Sequence, residues 1–329
     1  MVLVAQLAVL LFYSQKQYSR FTESIDFAQA NQAVWLIAHG HFLPTSSIHN
    51  QPFLDDHFSL ITWPITLLYV VFPHGITLLV LQGVAAVLAE VIALLLITEV
   101  VSRMALEREG RWTPLTGYLI IFGALLVLVS NPWFYQAAFF EFHVEALATL
   151  FALLALRSMW HDRVGVAALW CIPLIACGDL GGLYLIGLGV SLLLVNRQRW
   201  LWGAGGIALG IAWVQLTDVL GVRNNGVLSG YAYLLSGNAS TTAHVTFASF
   251  LVAIIAHPDR WLKVLWQRRG LIYENLIPTG LVGLASGWAI GTEIVIFMGS
   301  AIILPLVYLE SGFQNLAGYI VCSSARPLS

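Results

Sequence analysis

Long apolar runs alternate with short polar segments along nearly the whole chain. A helix needs about 20 apolar residues to cross the hydrocarbon core of a bilayer, and flanking residues extend the shorter runs toward that length. The pattern predicts membrane spans at Val2–Phe12 (partial), Ile76–Val101, Leu115–Ser130, Val144–Leu156, Val164–Ala176, Leu180–Val195, Leu201–Gly221, Leu271–Ile290 and Ile294–Leu309. The expected fold is an all-α, polytopic membrane helix bundle with about nine transmembrane helices.

This pattern predicts a single membrane domain over residues 1–329. Its expected parts are a partial first span (1–12), an outward loop with surface helices (13–75), core spans (76–221), an outward segment (222–270), the last two spans (271–309) and a tail (310–329). The first run is too short for a full span, and the tail stops without a recognisable element. We therefore expect the chain to be a fragment of a longer protein.

Two segments of the first outward loop are predicted to be helices. Glu23–His39 offers Phe27, Val34 and Ile37 for burial. Phe58–Phe72 is apolar and rich in aromatic residues. We place this second segment along the outer membrane surface, because a crossing here would reverse the charge bias of the loops that follow.

Composition and charge agree with a bilayer environment. Hydrophobic residues make up 59% of the chain and charged residues only 10%, with a formal net charge of -2, which is far more apolar than an average soluble domain. This balance gives no electrostatic footprint for nucleic acid. The 3 cysteines form neither a disulfide framework nor a metal-ligand pattern.

The positions of the arginines predict how the chain is oriented. Three short loops between spans carry arginine, and alternating spans place all three on one side: Arg103, Arg108 and Arg111, then Arg157 and Arg163, then Arg197 and Arg199. By the positive-inside rule that side is the cytoplasm. The polar stretch Tyr13–Gly75, the Asn131–His143 loop and Asp179 are then expected to face outward from the cell membrane.

Acids and histidines collect on this predicted outer side. Ionisable groups at the rim of the hydrocarbon layer are functional candidates; here they include Asp26, Asp55, Asp56, His57, Glu141, His143, Glu145, Asp179 and Asp218. Each also has a structural explanation. Asp26 suits the start of a helix, where the helix dipole favours a carboxylate, and Glu141 and Glu145 suit solvated contacts to lipid head groups.

The spacing of three of these residues predicts a local geometry. Glu141 and Glu145 are four residues apart, so in a helix they share a face, while His143 points away from them. Two acids on one face suit a divalent ion, a proton relay or a cationic partner. Inside a predicted span, Glu90 is interpreted either as a protonated acid hydrogen-bonded to another helix or as part of a proton pathway.

Four sequence motifs, taken in order, resemble one family. Ser24–Trp35 (SIDFAQANQAVW) resembles the YDLGxFDQxxW stretch of the predicted membrane proteins called domain-of-unknown-function family 2079. Ala38–His41, Leu54–Ser59 (LDDHFS, family GDHFS) and Glu141–Leu147 (EFHVEAL, family DFHPEAL) are further matches. The resemblance extends from about Phe21 to Gly318.

That family in turn resembles the GT-C class of integral membrane glycosyltransferases. These enzymes transfer a sugar from a polyprenyl-phosphate carrier outside the cytoplasmic membrane. The resemblance implies catalytic roles for Asp26, Asp56 and His57, and substrate binding by Glu141, His143, Glu145 and Asp179. It also implies an optional divalent cation (Mg²⁺ or Mn²⁺), with Asp56, Glu141 and Glu145 as candidate ligands.

The chain departs from the family pattern at several positions. Asn31 replaces the second acid of the first motif, and Cys177-Gly178-Asp179 replaces a KED-like triplet. A catalytically inactive membrane scaffold is therefore one alternative, and it predicts outer acids that point apart. A transporter or channel is another, and it predicts polar residues within the spans and interrupted helices in repeated halves.

Overall fold

The computed structural model describes residues 1–23, 25–56, 58–107, 113–139, 141–195, 197–220 and 247–267. Within these ranges the chain is almost entirely helical, as expected. The helices are α1 (Val2–Ser19), α2 (Ile25–Ala38), α3 (Phe53–Asp56), α4 (Thr62–Val71), α5 (Ile76–Glu107), α6 (Pro114–Val129), α7 (Pro132–Phe139), α8 (Glu145–Trp160), α9 (Val164–Ala176), α10 (Asp179–Val195), α11 (Trp200–Leu220), α12 (Phe247–Ala256) and α13 (Pro258–Gln267).

One small element of β structure was not predicted. Strands β1 (Thr45–Ser46) and β2 (Gln51–Pro52) pair antiparallel between α2 and α3, with Thr45 opposite Pro52. This short hairpin stands where the sequence analysis expected only loop, and it leads the chain from α2 back toward α3.

The predicted spans agree with the helices more closely in the middle of the chain than at its start. The predicted run Val164–Ala176 coincides with α9, whereas α1 continues seven residues beyond Phe12 to Ser19. No proline or glycine interrupts that extension, so the helical hydrogen-bond ladder continues through its polar residues. The predicted spans at 271–290 and 294–309 and the tail lie outside the described residues.

Among the described helices, Ile76–Arg103 of α5 is long and apolar enough to cross a membrane by length and composition. Shorter apolar helices are Thr62–Val71, Pro114–Val129, Val164–Ala176 and Leu180–Leu194. The expected number of about nine spans therefore stays a prediction.

Helices α5 and α8 run parallel, with polar contacts at both ends. At one end the side chain of Gln82 bonds the backbone of Glu141 and His143. At the other end Glu99 accepts hydrogen bonds from Arg157. Gln82 and Glu99 are 17 residues apart in α5 (99 − 82), which is about 25 Å at 1.5 Å per residue. A layer of nearly bilayer thickness, apolar on α5 except for Glu90 and Thr98, separates the two polar ends.

Glycines bring α10 and α11 unusually close together. A Cβ atom on Gly189 would lie 2.6 Å from the carbonyl oxygen of Gly203, and one on Gly210 would lie 2.6 Å from that of Gly182. Small residues are typical of membrane helices whose backbones touch, because packing replaces the hydrophobic effect as the cause of association. This pair packs against α8 and α9 through α10.

The segment expected to be an outward loop, Asn131–His143, contains a helix. Helix α6 ends at Val129 and α7 begins at Pro132, so two residues separate the helices. Proline suits the first turn of a helix because the amide hydrogen it lacks would have no partner there. Helix α7 packs against α1 and α5, and the rings of Tyr13 and Phe139 are 4.2 Å apart. The loop prediction is therefore wrong for residues 132–139.

Candidate functional site: an acid–histidine cleft

A cleft opens between α2, α4 and the segment that precedes α8. It has a cavity volume of about 50 Å³, which is enough for an ion and a few water molecules. Its lining combines acids and a histidine with apolar side chains: Asp26, Ala30, Val34, Phe53, Ser59, Thr62, Ile65, Phe142, His143, Val144 and Glu145. Such a mixture of a mostly apolar wall and a few convergent polar groups is typical of binding sites.

Glu141 joins two distant parts of the chain at this cleft. Its side chain is only 6% exposed, and its Oε2 atom accepts a hydrogen bond of 3.0 Å from the backbone N–H of Phe27. Phe27 lies in the first turn of α2, where backbone N–H groups lack helical partners and the helix dipole favours a negative charge. Glu141 therefore caps α2 and holds Asp26, one residue away, at the mouth of the cleft.

His143 faces Asp26 across the cleft. Its Nε2 atom is 3.6 Å from Oδ2 of Asp26, and the two side chains are 32% and 42% exposed. Its Nδ1 atom lies 3.0 Å from the carbonyl oxygen of Glu141. An Nδ1–H that donates to this carbonyl fixes the ring orientation and directs Nε2 toward Asp26.

The electrostatic surroundings keep His143 positively charged. Burial alone lowers the pKa of this imidazole, but the interaction with the Asp26 carboxylate and the negative charge of Glu145 outweigh it and raise the pKa to about 9. The side chain is therefore a cation at neutral pH, when no metal ion competes for it. The imidazolium offers the cleft a charged N–H donor.

The prediction that His143 points away from the acids is wrong. Helix α8 begins at Glu145, so the four-residue spacing between Glu141 and Glu145 is not helical. The non-helical backbone instead turns both Glu141 and His143 toward α2. Each of Asp26, Glu141 and His143 offers a ligand atom that lies within 4.8 Å of the others.

Gln82 is a site residue that the sequence analysis missed. Its amide is 1% exposed; Oε1 accepts a 2.6 Å hydrogen bond from the N–H of His143, and Nε2 donates at 3.3 Å to the carbonyl of Glu141. One side chain of α5 thus holds the backbone of both cleft residues. The sequence signal that could have identified Gln82 is its place as a single amide side chain at the seventh position of the apolar run that begins at Ile76.

Glu23 is a second residue that the pattern did not single out. Burial raises the pKa of its carboxyl, and the negative charge of Glu141 raises this pKa further. Its position just before α2 brings a further acid to the neighbourhood of the cleft. Its only sequence signal was its place at the start of the predicted helix Glu23–His39.

The predicted residues Asp56 and His57 are only partly covered by the structure. Asp56 ends α3, but its side chain and all of His57 lie outside the described part of the chain. Phe53 and Ser59, which flank them in the sequence, line the cleft. Their catalytic roles stay predictions.

Asp179 is placed by its backbone alone. It opens α10 directly after Gly178, which has a φ of +117°, a conformation that glycine adopts without strain. The carbonyl of Gly178 accepts a 2.9 Å hydrogen bond from Nε1–H of Trp213, and the N–H of Ile61 donates to the carbonyl of Ala176 at 2.8 Å. The turn before Asp179 is thereby fixed against the segment that follows Ser59.

The cluster at the cleft suits Mn²⁺, one of the two ions expected, better than Mg²⁺. A set of two carboxylates and one imidazole, from Asp26, Glu141 and His143, favours Mn²⁺ or Zn²⁺ over Mg²⁺, because imidazole nitrogen is a ligand for transition metals. Of the ligands expected for a divalent cation, Glu141 belongs to this cluster. Glu145 lines the same cleft, and the side chain of Asp56 is outside the described residues.

The apolar helices and the acid–histidine cleft define a helical membrane protein with a polar site at one end of its bundle. A family model described as "Predicted membrane protein (DUF2079)" matches residues 17–280. The chain belongs to this family, which confirms the resemblance inferred from the motifs. No curated protein and no solved structure matches the chain.

Proposed function

We propose that the protein is a membrane glycosyltransferase of the GT-C type. It transfers a sugar from a polyprenyl-phosphate donor to an acceptor hydroxyl at the extracytoplasmic face of the cell membrane. The observation that carries the proposal is the cleft in which Asp26 and His143 face each other at 3.6 Å, with Glu141 fixed beside them. The reaction needs a base for the acceptor hydroxyl and a cation for the leaving phosphate, and the cleft holds one of each.

Asp26 is the general base of the proposed reaction. The acceptor O–H bond breaks, its proton passes to the Asp26 carboxylate, and the oxygen forms a bond to the anomeric carbon of the sugar. Its exposed fraction of 42% leaves this carboxylate accessible to an acceptor. General-base assistance of this kind contributes about 10²–10⁴-fold to a rate.

His143 stabilises the leaving group. The bond between the anomeric carbon and the phosphate oxygen breaks, and its electron pair stays on the polyprenyl phosphate. The imidazolium, whose pKa of about 9 keeps it charged, neutralises this developing negative charge. A divalent ion held by Asp26, Glu141 and His143 would supply the same neutralisation as a Lewis acid, with the imidazole then neutral.

Helix α4 provides a surface for the lipid carrier. Thr62 and Ile65 on this helix line the cleft, while Leu67, Val71 and Phe72 at its other side and end are 72%, 66% and 56% exposed. An apolar face beside a polar cleft lets a polyprenyl tail lie against the helix while its phosphate reaches His143. This arrangement supports a substrate delivered from the bilayer.

A transfer assay with purified protein in lipid nanodiscs tests the proposal. Radiolabelled polyprenyl-phosphate hexoses and pentoses are the donors, and label that enters an acceptor fraction is counted. Asp26→Asn is expected to lose about 10²–10⁴-fold of the transfer rate, because the amide cannot accept the proton. Transfer that persists in both Asp26→Asn and His143→Gln would contradict the assignment.

Asp162→Asn is the matched control for these variants. Asp162 pairs with Arg199 at 2.9 Å and is 70% exposed, near the Arg157 end of α8 and far along that helix from the cleft. Its φ of +60° lies in the left-handed region, which asparagine also tolerates. The same charge change therefore leaves the fold and the transfer rate unchanged.

A transporter is the second candidate, and the break in helical structure between α6 and α7 is the observation that favours it. Broken helices are a typical feature of transport sites. Uptake of a labelled solute into proteoliposomes, without any chemical change to the solute, would support transport over transfer. An inactive scaffold is less well supported, because the acids Asp26 and Glu141 converge on one cleft instead of pointing apart.

A further inference from the structure

A second polar cluster lies deep in the bundle, away from the cleft. Gln6 of α1 and Glu90 of α5 are each 5% exposed. Neither the two amide atoms of Gln6 nor the two carboxylate oxygens of Glu90 have a hydrogen-bond partner within the described ranges. Buried polar atoms without partners are uncommon in folded proteins and call for a ligand or a proton that satisfies them.

Three helices bring this cluster together. Leu10 of α1, Val87 of α5 and Ala138 of α7 form one buried apolar cluster. Gln6, Glu90 and Tyr135 lie about one helical turn from these three residues, and the Gln6 amide neighbours both Glu90 and the Tyr135 hydroxyl. Glu90 is 14 residues into α5 (90 − 76), or about 21 Å from its start, and so lies far from either end of the span.

An ionised Glu90 at this place is strongly disfavoured. A bare carboxylate loses its hydration in an apolar interior and needs a partner or a proton. Among the described side chains, the uncharged Gln6 amide from α1 and the Tyr135 phenol from α7 interact with it. Either a proton or a bound cation must therefore compensate the charge.

Hydrogen-bond complementarity favours the proton over a cation. A neutral carboxylic acid donates its O–H to the Gln6 carbonyl oxygen, and the Gln6 amide donates an N–H to the remaining oxygen of Glu90. One proton thus satisfies both side chains in a reciprocal pair, and the second amide N–H can be accepted by the Tyr135 hydroxyl. A bound metal cation would coordinate the oxygens but repel the amide N–H groups beside it.

We propose that Glu90 is a proton-binding site inside the membrane and that the neutral acid joins α1, α5 and α7 through Gln6 and Tyr135. Helix α7 ends at Phe139, two residues before Glu141, so this junction also supports the segment that enters the cleft. The proposal does not depend on glycosyl transfer, because it concerns groups outside the cleft.

Infrared difference spectroscopy of the full chain in lipid nanodiscs tests the protonation state. The carbonyl stretch of a protonated carboxylic acid is expected in the wild-type spectrum at neutral pH and is expected to be lost in Glu90→Gln. Glu99→Gln on the same helix is the control: Glu99 is ion-paired with Arg157 at 2.6 Å, so its replacement leaves the acid band in place. An acid band that is the same in wild type and Glu90→Gln would overturn the proposal.

Gln6→Leu provides an independent test if Glu90→Gln does not fold. Removal of the amide is expected to shift the carbonyl stretch of Glu90 to higher frequency, because the acid loses both hydrogen bonds to Gln6. An unchanged band position would mean that the two side chains are not paired. This measurement needs only the wild-type acid at position 90.

Thermal unfolding in different salts separates a proton from a cation. With sodium, potassium or choline chloride at equal ionic strength, the wild type is expected to unfold at one temperature. Glu90→Gln is expected to match it, because an amide pair reproduces both hydrogen bonds. A sodium- or potassium-dependent rise in the wild type that disappears in Glu90→Gln would overturn the proposal and identify a cation site.

Discussion

The carboxylate of Glu141 accepts a hydrogen bond from the backbone N–H of Phe27, which lies 114 residues earlier in the chain. This contact helps to fix the start of α2 against the segment before α8. It sets the distance between Asp26 and His143, because each of them is within two residues of one of the partners. The geometry of the cleft therefore depends on a bond that neither Asp26 nor His143 makes.

Loss of this bond is expected to destabilise the protein. Glu141→Ala leaves the Phe27 N–H without its acceptor and removes a hydrogen bond to a charged group, which is worth about 1.5–3 kcal/mol of the free energy of unfolding. Glu141→Gln keeps an oxygen acceptor in the same place and is expected to cost less than half as much. Denaturant unfolding of both variants in detergent micelles measures the difference, and equal costs would mean that the bond contributes nothing specific.

The helices could be predicted from hydrophobic pattern alone, because each depends on local periodicity. The predicted run Val164–Ala176 coincides with α9. Pattern could not predict that α7 follows the break at Pro132, since a proline ends one helix and equally well begins the next.

The cleft was harder to predict than the helices that form it. The spacing of Glu141 and Glu145 suggested a shared helical face, but α8 begins only at Glu145, and a non-helical backbone turns His143 toward Asp26. The pairing of Gln82 with the backbone of Glu141 and His143 is a long-range contact, and no local pattern encodes it. Motif resemblance identified Asp26 and Glu141 as candidates, but not their geometry.

Gln82 is expected to be essential for the shape of the cleft. Gln82→Leu removes the acceptor of the partly buried N–H of His143 and one donor to the Glu141 carbonyl, and each lost partner costs about 1–3 kcal/mol. Thr98→Val is the control, because Thr98 lies on the same helix and its hydroxyl bonds only its own helix at Leu94. Unfolding temperatures in micelles measure the stability of both variants. If Gln82→Leu is as stable as Thr98→Val, the side chain of Gln82 does not hold the backbone of Glu141 and His143 in place.

Close contact between α10 and α11 predicts a sharp difference between two glycines. Gly189→Ala places a methyl group 2.6 Å from the carbonyl oxygen of Gly203, so the helices must separate, and overpacking of this kind costs about 1–3 kcal/mol. Gly205→Ala on α11 meets nothing within 4 Å and is expected to be neutral or slightly stabilising, since alanine favours the helix. Thermal unfolding of the pair compares them directly, and equal effects would argue against the close packing.

The charge on His143 predicts how stability changes with pH in metal-free buffer. Its pKa rises from 6.5 to about 9 on folding, so the protonated imidazole stabilises the folded state. This contribution is complete below pH 6.5, declines as the pH rises toward 9 and is absent above it. A shift of this size is worth at most about 3.4 kcal/mol, and partial exposure of the side chain reduces that value. Unfolding between pH 6 and 10 with EDTA present should show the decline in wild type and a flatter curve in His143→Gln.

Metal binding at the cleft is expected to compete with protons for the same histidine. If Asp26, Glu141 and His143 form one ligand set, Mn²⁺ must displace the proton from Nε2, because only the neutral imidazole coordinates a metal. The apparent affinity should therefore rise with pH up to about 9, where His143 is half deprotonated.

Electron paramagnetic resonance of Mn²⁺ titrated into nanodisc-embedded protein measures the bound fraction. Asp26→Asn and His143→Gln should each weaken binding at least tenfold, as loss of a ligand does, while Asp162→Asn keeps wild-type affinity. An affinity for Mn²⁺ that does not depend on pH, or that is equal in the wild type and the three variants, would exclude this cluster as the metal site. His143 would then act as a cation that faces Asp26.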